Sequence, residues 1–429
     1  MSLTSMLFLL VFLGLGWLSM SKDPVYGIGC YILLYFFAGQ WWWQSLPNLP
    51  YSKIAIFFTL VGMVSNWNKY KAKAFDYPPT KWIFALGVLS LLIIPFAIDS
   101  YHHNFYASIL WKNILVFWIL IKVVENFEKL NKILYFFICG AFYLSFTAFQ
   151  QGRNSGGRLE GIGVADGQDS NLCAAALVVA VPIVLSLMYR AKGKEKLFLS
   201  AAFVFILNAL ILYNSRGAFL ALVLAAIVLG INFFRKIFSR KGERVKLTLA
   251  AGFAVCAFFY LADQTFWDRM RTLEDTSTEG SGYRMLIWQS ALDVLADYPF
   301  GTGADGFTLI SHSYIPPEMV SSTGTRAMHN TYLQALTEYG VIGFLVFLSM
   351  IGSVFIYTAR ARKFLIGEAE KFLPVLFGLE AAFAAHLFAA IFINRLYSEV
   401  LYWLPALIAV AGGLTVLGLN GKDENISCH

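Results

Sequence analysis

The sequence predicts an all-α membrane protein, a polytopic transmembrane helical bundle with a small, partly helical cap on its outer face. Of its 429 residues 58% are hydrophobic and only 14% are charged, whereas soluble domains carry roughly a quarter charged residues. Apolar runs of about 20 residues recur along nearly the whole chain, and each is long enough to cross a bilayer core of about 30 Å. A long polar stretch, residues 263–330, interrupts this pattern and supplies the cap.

About thirteen apolar segments are candidate spans, and a bundle of about twelve is the alternative because the first two are less clear as full crossings. They lie near residues 2–20, 25–43, 53–67, 81–98, 105–123, 131–149, 171–189, 197–213, 216–234, 247–263, 331–357, 373–393 and 399–419. The first segment lacks the basic start and the small-residue cleavage site of a signal peptide, so we expect it to be retained. The chain then divides into transmembrane helices with outer arginine loops (1–262), the cap (263–330), and C-terminal helices with a short cytoplasmic tail (331–429).

Lysine and arginine cluster in alternate connections, which places those connections in the cytoplasm by the positive-inside rule. The clusters occupy residues 66–81, 189–196, 235–246 and 360–371. They account for the net charge of +7, so the charge gives no reason to expect a nucleic-acid partner. The other connections hold glycine, polar groups and isolated arginines, and an arginine on the face that this rule disfavours needs another explanation.

The cap contains one clear helical pattern, within residues 283–303. Its apolar residues recur at three- and four-residue steps, which predicts an amphipathic helix. The apolar face of that helix is expected to carry Met285, Trp288, Leu292 and Leu295. A proline and two glycines between 299 and 303 end it. The rest of the cap is typical of a loop and leads directly to His329.

Three arginines lie in the outward segments: Arg158 in "NSGGRLEGIG", Arg216 in "NSRGAF" and Arg284 at the start of the amphipathic helix. Each can be an interfacial anchor that extends its head group to lipid phosphates. Alternatively, the planar guanidinium is a permanently charged fork for phosphate or pyrophosphate. Several such arginines together with a histidine favour the second interpretation, and glycines beside Arg158 and Arg216 would let the backbone approach an anion closely.

His329 precedes the apolar segment that begins near residue 331. It can simply hydrogen-bond a loop carbonyl, or it can act as a general base, since an imidazole accepts a proton near neutral pH. Arginine clamps and a neutral histidine together suit one reaction: a hydroxyl loses its proton as it attacks a carbon that carries a phosphate leaving group.

Four stretches carry a resemblance to a known family. They are "GRLEGIGVADGQDSNLCAAALVVAVPIVL", "LILYNSRGAFLALVLA", "YRMLIWQSALDVLADYPFGTGADGF" and "HNTYLQALTEYGVIGF". In order and spacing the chain resembles the O-antigen ligase family, within a superfamily that also holds O-antigen polymerases and O-oligosaccharyltransferases. The resemblance covers roughly residues 150–360 and is weaker in the first hundred. The segment after the first span is also similar to putative O-glycosylation ligases, which leaves the subtype open.

The resemblance implies a metal-independent, inverting glycosyltransferase of the bacterial inner membrane, without cofactor or nucleotide, whose active site faces the periplasm. The donor it implies is a glycan on undecaprenyl pyrophosphate, and the acceptor is a sugar hydroxyl of lipid A–core. By position, Arg158 and Arg216 match the donor-binding arginines, and His329 matches the histidine that activates the acceptor. The match gives Arg284, Asn330 and Glu338 supporting positions in the same motifs, with Arg284 at the pyrophosphate and the other two either orienting His329 or packing the helix.

Other polar residues have weaker claims. Asp169 is expected to cap a helix that begins near Ser170, and the remaining candidates are His102, His103, His312, His386, Arg395 and the acidic group Glu274, Asp275 and Glu279.

Three rival functions share parts of the pattern: O-antigen polymerase, protein O-oligosaccharyltransferase, and a transporter or flippase for a lipid-linked glycan. The polar segments collect on one face rather than at mid-membrane, which favours chemistry over transport, and among the enzymes we choose the ligase.

Overall fold

The computed structural model describes residues 2–37, 46, 48–236, 241–271, 279–321, 324–363 and 372–420. Over these ranges the fold is all-α, with two isolated β-bridges in the loop between residues 152 and 169. The predicted end of the second span, residues 38–43, lies outside the described residues, as do Glu274 and Asp275.

Within these described ranges, seventeen α-helices follow one another. They are α1 (Leu3–Ser21), α2 (Val25–Phe36), α3 (Tyr51–Ser65), α4 (Pro78–Leu92), α5 (Ser100–Val123), α6 (Phe127–Gln151), α7 (Ser170–Val178), α8 (Ala180–Met188), α9 (Gly193–Tyr213), α10 (Arg216–Lys236), α11 (Lys241–Leu261), α12 (Gln264–Arg271), α13 (Glu279–Asp297), α14 (Gly306–Ile310), α15 (Thr331–Ala361), α16 (Leu373–Ala389) and α17 (Glu399–Asn420).

The apolar helices correspond one for one to the predicted spans. Seven are long and apolar enough to cross a bilayer, counting α7 and α8 as one, and six shorter apolar helices complete the set within the described ranges. The all-α polytopic fold is therefore confirmed, and the chain is a multi-pass membrane protein. Several starts are fixed by side-chain caps, since Asp99, Asn126, Asp169 and Asn330 each accept a hydrogen bond from the first turn of α5, α6, α7 and α15.

The centre of the bundle is formed by α7, α8, α16 and α17, whose described residues are nearly all buried. α16 runs along α10 and α8, α17 packs on α5, and α2 packs between α3 and α6. α1 lies at the edge and exposes most of its apolar side chains, as a lipid-facing helix does. Lipid removes the hydrophobic drive between helices, so close packing and internal hydrogen bonds hold these contacts.

The cap has its own small apolar core, and α13 contributes Ile287, Ala291 and Val294 to it. The predicted helix is confirmed, but its predicted apolar face is right only in part: Trp288 packs against the cap core, whereas Met285 is 58% exposed and Leu292 is 64% exposed. The helix carries apolar residues on two neighbouring stripes with the same spacing. Only the loop that packs on α13, which periodicity does not reveal, decides which stripe is buried.

The cap is fastened to a break in α15. At Gly340 the backbone leaves helical geometry, with φ +64° and ψ −171°, which frees carbonyl groups in the preceding turn. The backbone N–H groups of Thr302 and Gly303 donate to the carbonyl oxygens of Thr337 (2.8 Å) and Glu338 (3.1 Å). The cap is thus hydrogen-bonded to the helix that begins directly after His329, and the freed groups are satisfied within the protein.

Replacing Gly340 with alanine is expected to destabilise the fold by about 1–3 kcal/mol, because a side chain is strained at this φ. A Cβ there would also lie 2.5 Å from the carbonyl oxygen of Pro299. The thermal unfolding midpoint of the purified protein should fall by several degrees. Gly352→Ala, in the same helix with open space around the position, is the matched control, and equal midpoints for the two variants would contradict the strain at Gly340.

Candidate functional site

Arg158 is fixed in the glycine-rich loop that joins α6 to α7. The chain turns at Gly157, whose φ of +74° is accessible to glycine without steric cost. The guanidinium donates from Nη2 to Oδ1 of Asn171 (2.8 Å) and from Nε to the carbonyl oxygen of Tyr213 (3.3 Å). Glu160 Oε1 lies 3.7 Å from Nη1. Arg158 is therefore held between the start of α7 and the end of α9.

Arg216 is the first residue of α10 and follows a tight turn. α9 ends as Asn214 takes the left-handed conformation, with φ +52°. The Ser215 hydroxyl then donates to Oδ1 of Asn171 (2.9 Å), the same oxygen that accepts from Arg158. One amide side chain thus ties together the two turns that carry the arginines.

Two further arginines come from the cap. Arg269 lies in α12, and its Nε donates to the carbonyl oxygen of Asn214 (2.9 Å) in the turn before Arg216. Arg284 lies in α13, one helical turn before Trp288. The cap therefore brings two guanidinium groups to the turns that hold Arg158 and Arg216.

These four arginines line one cavity of about 130 Å³. Its other walls are Asn171, Ala175, Ser215, Gly217, Ala218, Ala389, Phe392 and Ile393. Burial, and then the charges of the other three arginines, lower the pKa of Arg269 to about 10. Burial followed by neighbouring arginine charge also lowers the pKa of Arg284. Because like charges meet here in a region of low dielectric, and α7 and α10 present their positive N-terminal ends, the cavity is complementary to an anion.

His329 lies outside the cavity lining, on the segment that leads into α15. It comes two residues before Thr331, whose backbone N–H donates to the carbonyl oxygen of Ala390 (2.8 Å), next to the cavity residue Ala389. The Nε1 of Trp288 donates to the carbonyl oxygen of Met328 (3.2 Å), which fixes the segment against the helix that carries Arg284. His329 itself has φ +50°, an uncommon conformation outside glycine. Burial, and then the charges of Arg284 and Arg326, lower the pKa of the imidazole to about 4. The ring is neutral at pH 7 and can accept a proton.

A comparison with protein families finds a match, and it overlaps much of this site. Residues 201–348 match the family described as O-antigen ligase. Over this segment the chain is similar to the O-antigen ligase superfamily. The matched segment, residues 201–348, includes Arg216, Arg269, Arg284 and His329. Arg158 lies before it.

Two individual proteins are similar to this chain at low sequence identity. A Haemophilus influenzae protein described only as uncharacterized is 24% identical over 199 residues, or 43% of this chain and 49% of that protein. The chain therefore spans about half the length of this relative. A solved chain from a study of a peptidoglycan synthase complex shares 15% identity at a TM-score of 0.42, covering 80% of this chain and 98% of that chain. Similarity at that distance assigns no function.

Asn330 and Glu338, the two supporting residues of the motif, both hold helix α15 in place. Asn330 caps α15 by accepting from the backbone N–H groups of Tyr332 (2.9 Å) and Leu333 (3.1 Å). Glu338 is buried more than two turns further on, where it accepts from Gln334 (2.9 Å) and from the Tyr397 hydroxyl. Of the two readings that the sequence left open, these contacts favour helix packing over direct orientation of the imidazole.

The structure shows the surroundings of several of the weaker candidate residues. Asp169 caps α7 as predicted, His312 is exposed, and His103 is buried with Nε2 bonded to the Ser90 carbonyl oxygen (2.7 Å) and Nδ1 accepting from Ala304 N–H (2.9 Å). Arg395 is buried against Asp166, with Nη1 3.2 Å from Oδ2. For the buried His386, no hydrogen-bond partner of its ring nitrogens exists among the described residues.

Sequence reasoning missed Arg269 and Arg326 as members of the site. Both lie in the outward stretch 263–330, where the topology rule disfavours arginine, and that signal could have found them. The sequence alone does not show where the Arg269 side chain points. In the structure Phe266 and Met270 bury one part of α12 in a small apolar cluster, and the hydrogen bond to the Asn214 carbonyl oxygen orients Arg269.

Proposed function

We propose that this protein is an O-antigen ligase, which transfers a glycan from undecaprenyl pyrophosphate to a sugar hydroxyl of lipid A–core. The observation that carries the proposal is the cavity lined by four arginines beside a neutral histidine. Pyrophosphate suits that cavity, because guanidinium groups bind phosphate oxygens in bidentate pairs. An imidazole at its edge suits the activation of a hydroxyl.

The proposed reaction is a single displacement at the anomeric carbon. The acceptor oxygen attacks that carbon, the bond from the carbon to the pyrophosphate oxygen breaks, and the configuration inverts. His329 takes the proton of the acceptor hydroxyl, while Arg158 and Arg216 stabilise the charge that develops on the leaving pyrophosphate. The leaving group supplies the driving force, so the reaction needs no nucleotide, and the guanidinium groups supply the positive charge in a metal-independent transfer.

The position of the cavity suits two lipid-anchored substrates. Its walls come from the starts of α7 and α10 and from the end of α16, so it lies at one end of the bundle. The lysine-rich connections join the opposite ends of these helices, which supports a periplasmic site in the inner membrane. A donor whose tail stays in lipid would place its pyrophosphate at this level.

Transfer by the purified protein tests the proposal. Protein in lipid nanodiscs, given an undecaprenyl-pyrophosphate glycan and rough lipopolysaccharide without ATP, is expected to produce glycan-capped lipopolysaccharide on a gel. A control without rough lipopolysaccharide should leave the donor unchanged. Growth of the donor glycan in that control would identify a polymerase instead, and an unaltered donor in every mixture would contradict glycosyl transfer to these acceptors.

A further inference from the structure

Arg326 is a fifth arginine of the site, and it stands apart from the other four. The cavity lining contains Arg158, Arg216, Arg269 and Arg284 but not Arg326. Arg326 belongs instead to the extended segment just before His329. The positive side of the site therefore continues past the cavity, toward the imidazole.

The segment that carries Arg326 is fixed at both ends. The Arg326 backbone N–H donates to the Ser311 hydroxyl (2.8 Å), and the Met328 carbonyl accepts from Trp288 Nε1 (3.2 Å). Met328 is buried in the cap core. The same bond from Trp288 holds α13, which carries Arg284 one turn earlier, against this segment, and the charges of Arg284 and Arg326 both act on His329.

Part of the Arg326 side chain is buried without a hydrogen-bond partner among the described residues. Its Nε is buried and makes no hydrogen bond there, and burying an unpaired donor of a charged group is costly. Three charged groups act on His329: Arg284 and Arg326 lower the pKa of its imidazole, and Asp169 raises it. Asp169 is already engaged, since it caps α7. The charge on Arg326 thus lacks a carboxylate of its own in this part of the chain.

We infer that Arg326 and Arg284 form a second anion subsite, which binds a phosphate group carried by the acceptor and sets the acceptor hydroxyl against His329. The inference rests on the proposed function and adds the substrate class: an acceptor phosphorylated close to its reactive sugar. The donor pyrophosphate occupies the four-arginine cavity, and Arg284 borders both anions. Arg326 is a specificity-determining residue in this arrangement, because it discriminates between phosphorylated and phosphate-free acceptors.

Acceptor kinetics test the subsite. Rough lipopolysaccharide is compared before and after its phosphates are removed with hydrofluoric acid. The unmodified protein is expected to show a KM at least about tenfold lower for the phosphorylated acceptor, the effect of about one charge-assisted hydrogen bond. Arg326→Gln should erase that preference and leave the donor KM unchanged. Arg271→Gln is the control, because Arg271 is exposed on α12 and pairs with Asp268. An undiminished preference in Arg326→Gln would overturn the inference.

A binding measurement separates this inference from the proposed function, because it needs no turnover. Protein in nanodiscs saturated with undecaprenyl pyrophosphate is titrated with inorganic phosphate by calorimetry. We expect a second anion to bind, and Arg326→Gln to abolish that binding without weakening the lipid pyrophosphate. If Arg326→Gln instead weakens lipid pyrophosphate binding as much as Arg216→Gln, Arg326 serves the donor and the inference fails. Two anions bound without glycosyl transfer would contradict the proposed function alone.

Discussion

Replacing His329 with alanine is expected to lower kcat for glycan transfer by about 10²–10⁴-fold, the usual contribution of a general base. The imidazole is half-buried, and burial followed by the charges of Arg284 and Arg326 lowers its pKa to about 4, so it is neutral at pH 7, as the proposed role of proton acceptor requires. Because alanine removes the proton acceptor but not the arginines, binding of undecaprenyl pyrophosphate should persist. Single-turnover transfer to rough lipopolysaccharide measures the effect.

The matched control for this variant is His312→Ala, which removes an exposed histidine from the same cap and should leave kcat unchanged. Retention of more than about a tenth of the activity in His329→Ala would contradict a role as general base.

The pH dependence of glycan transfer is a second test of the role of His329. Its pKa is lowered from 6.5 to about 4, so the neutral form that accepts a proton persists down to about pH 5 and is lost below about pH 4. kcat/KM, which reports the free protein, should fall on the acid side near that value. In the pH profile of kcat, the fall on the acid side should lie at higher pH. Bound pyrophosphate offsets the arginine charges that lower the pKa of His329.

Replacing Arg216 with alanine is expected to lower kcat by about 10²–10³-fold, comparable to the loss of one preorganised donor at a developing anion. Arg216 begins α10, so its guanidinium and the positive end of the helix act on the same leaving group. Arg216→Lys should recover only part of the loss, because an ammonium cannot pair two phosphate oxygens in one plane.

The control for this variant is Arg271→Ala, which removes an exposed arginine that pairs with Asp268 outside the cavity. Its activity should match that of the unmodified protein. If Arg216→Ala retains full activity while its fold is intact, the four-arginine cavity does not bind the leaving group.

Hydropathy predicted the spans well because each span is a local property of about 20 consecutive residues. The buried face of α13 was harder to predict from the sequence, because Met285 and Ile287 belong to two stripes of equal spacing. Only the packing of the cap loop on α13 buries Ile287. The break at Gly340 was also hidden, because a single glycine in an apolar run gives no sign that Thr302 and Gly303 will bond to the freed carbonyl groups. Arg158, Arg216, Arg284 and His329 were found through motifs, whereas Arg269 and Arg326 join the site only through tertiary contacts.

The most direct measurement is a cryo-electron microscopy structure of the protein in nanodiscs with undecaprenyl pyrophosphate bound. We expect the two phosphate groups in the cavity lined by Arg158, Arg216, Arg269 and Arg284, with the polyprenyl tail in lipid and the pyrophosphate next to His329. Pyrophosphate density at another place, with this cavity unchanged and empty, would contradict the central claim that these arginines hold the leaving group.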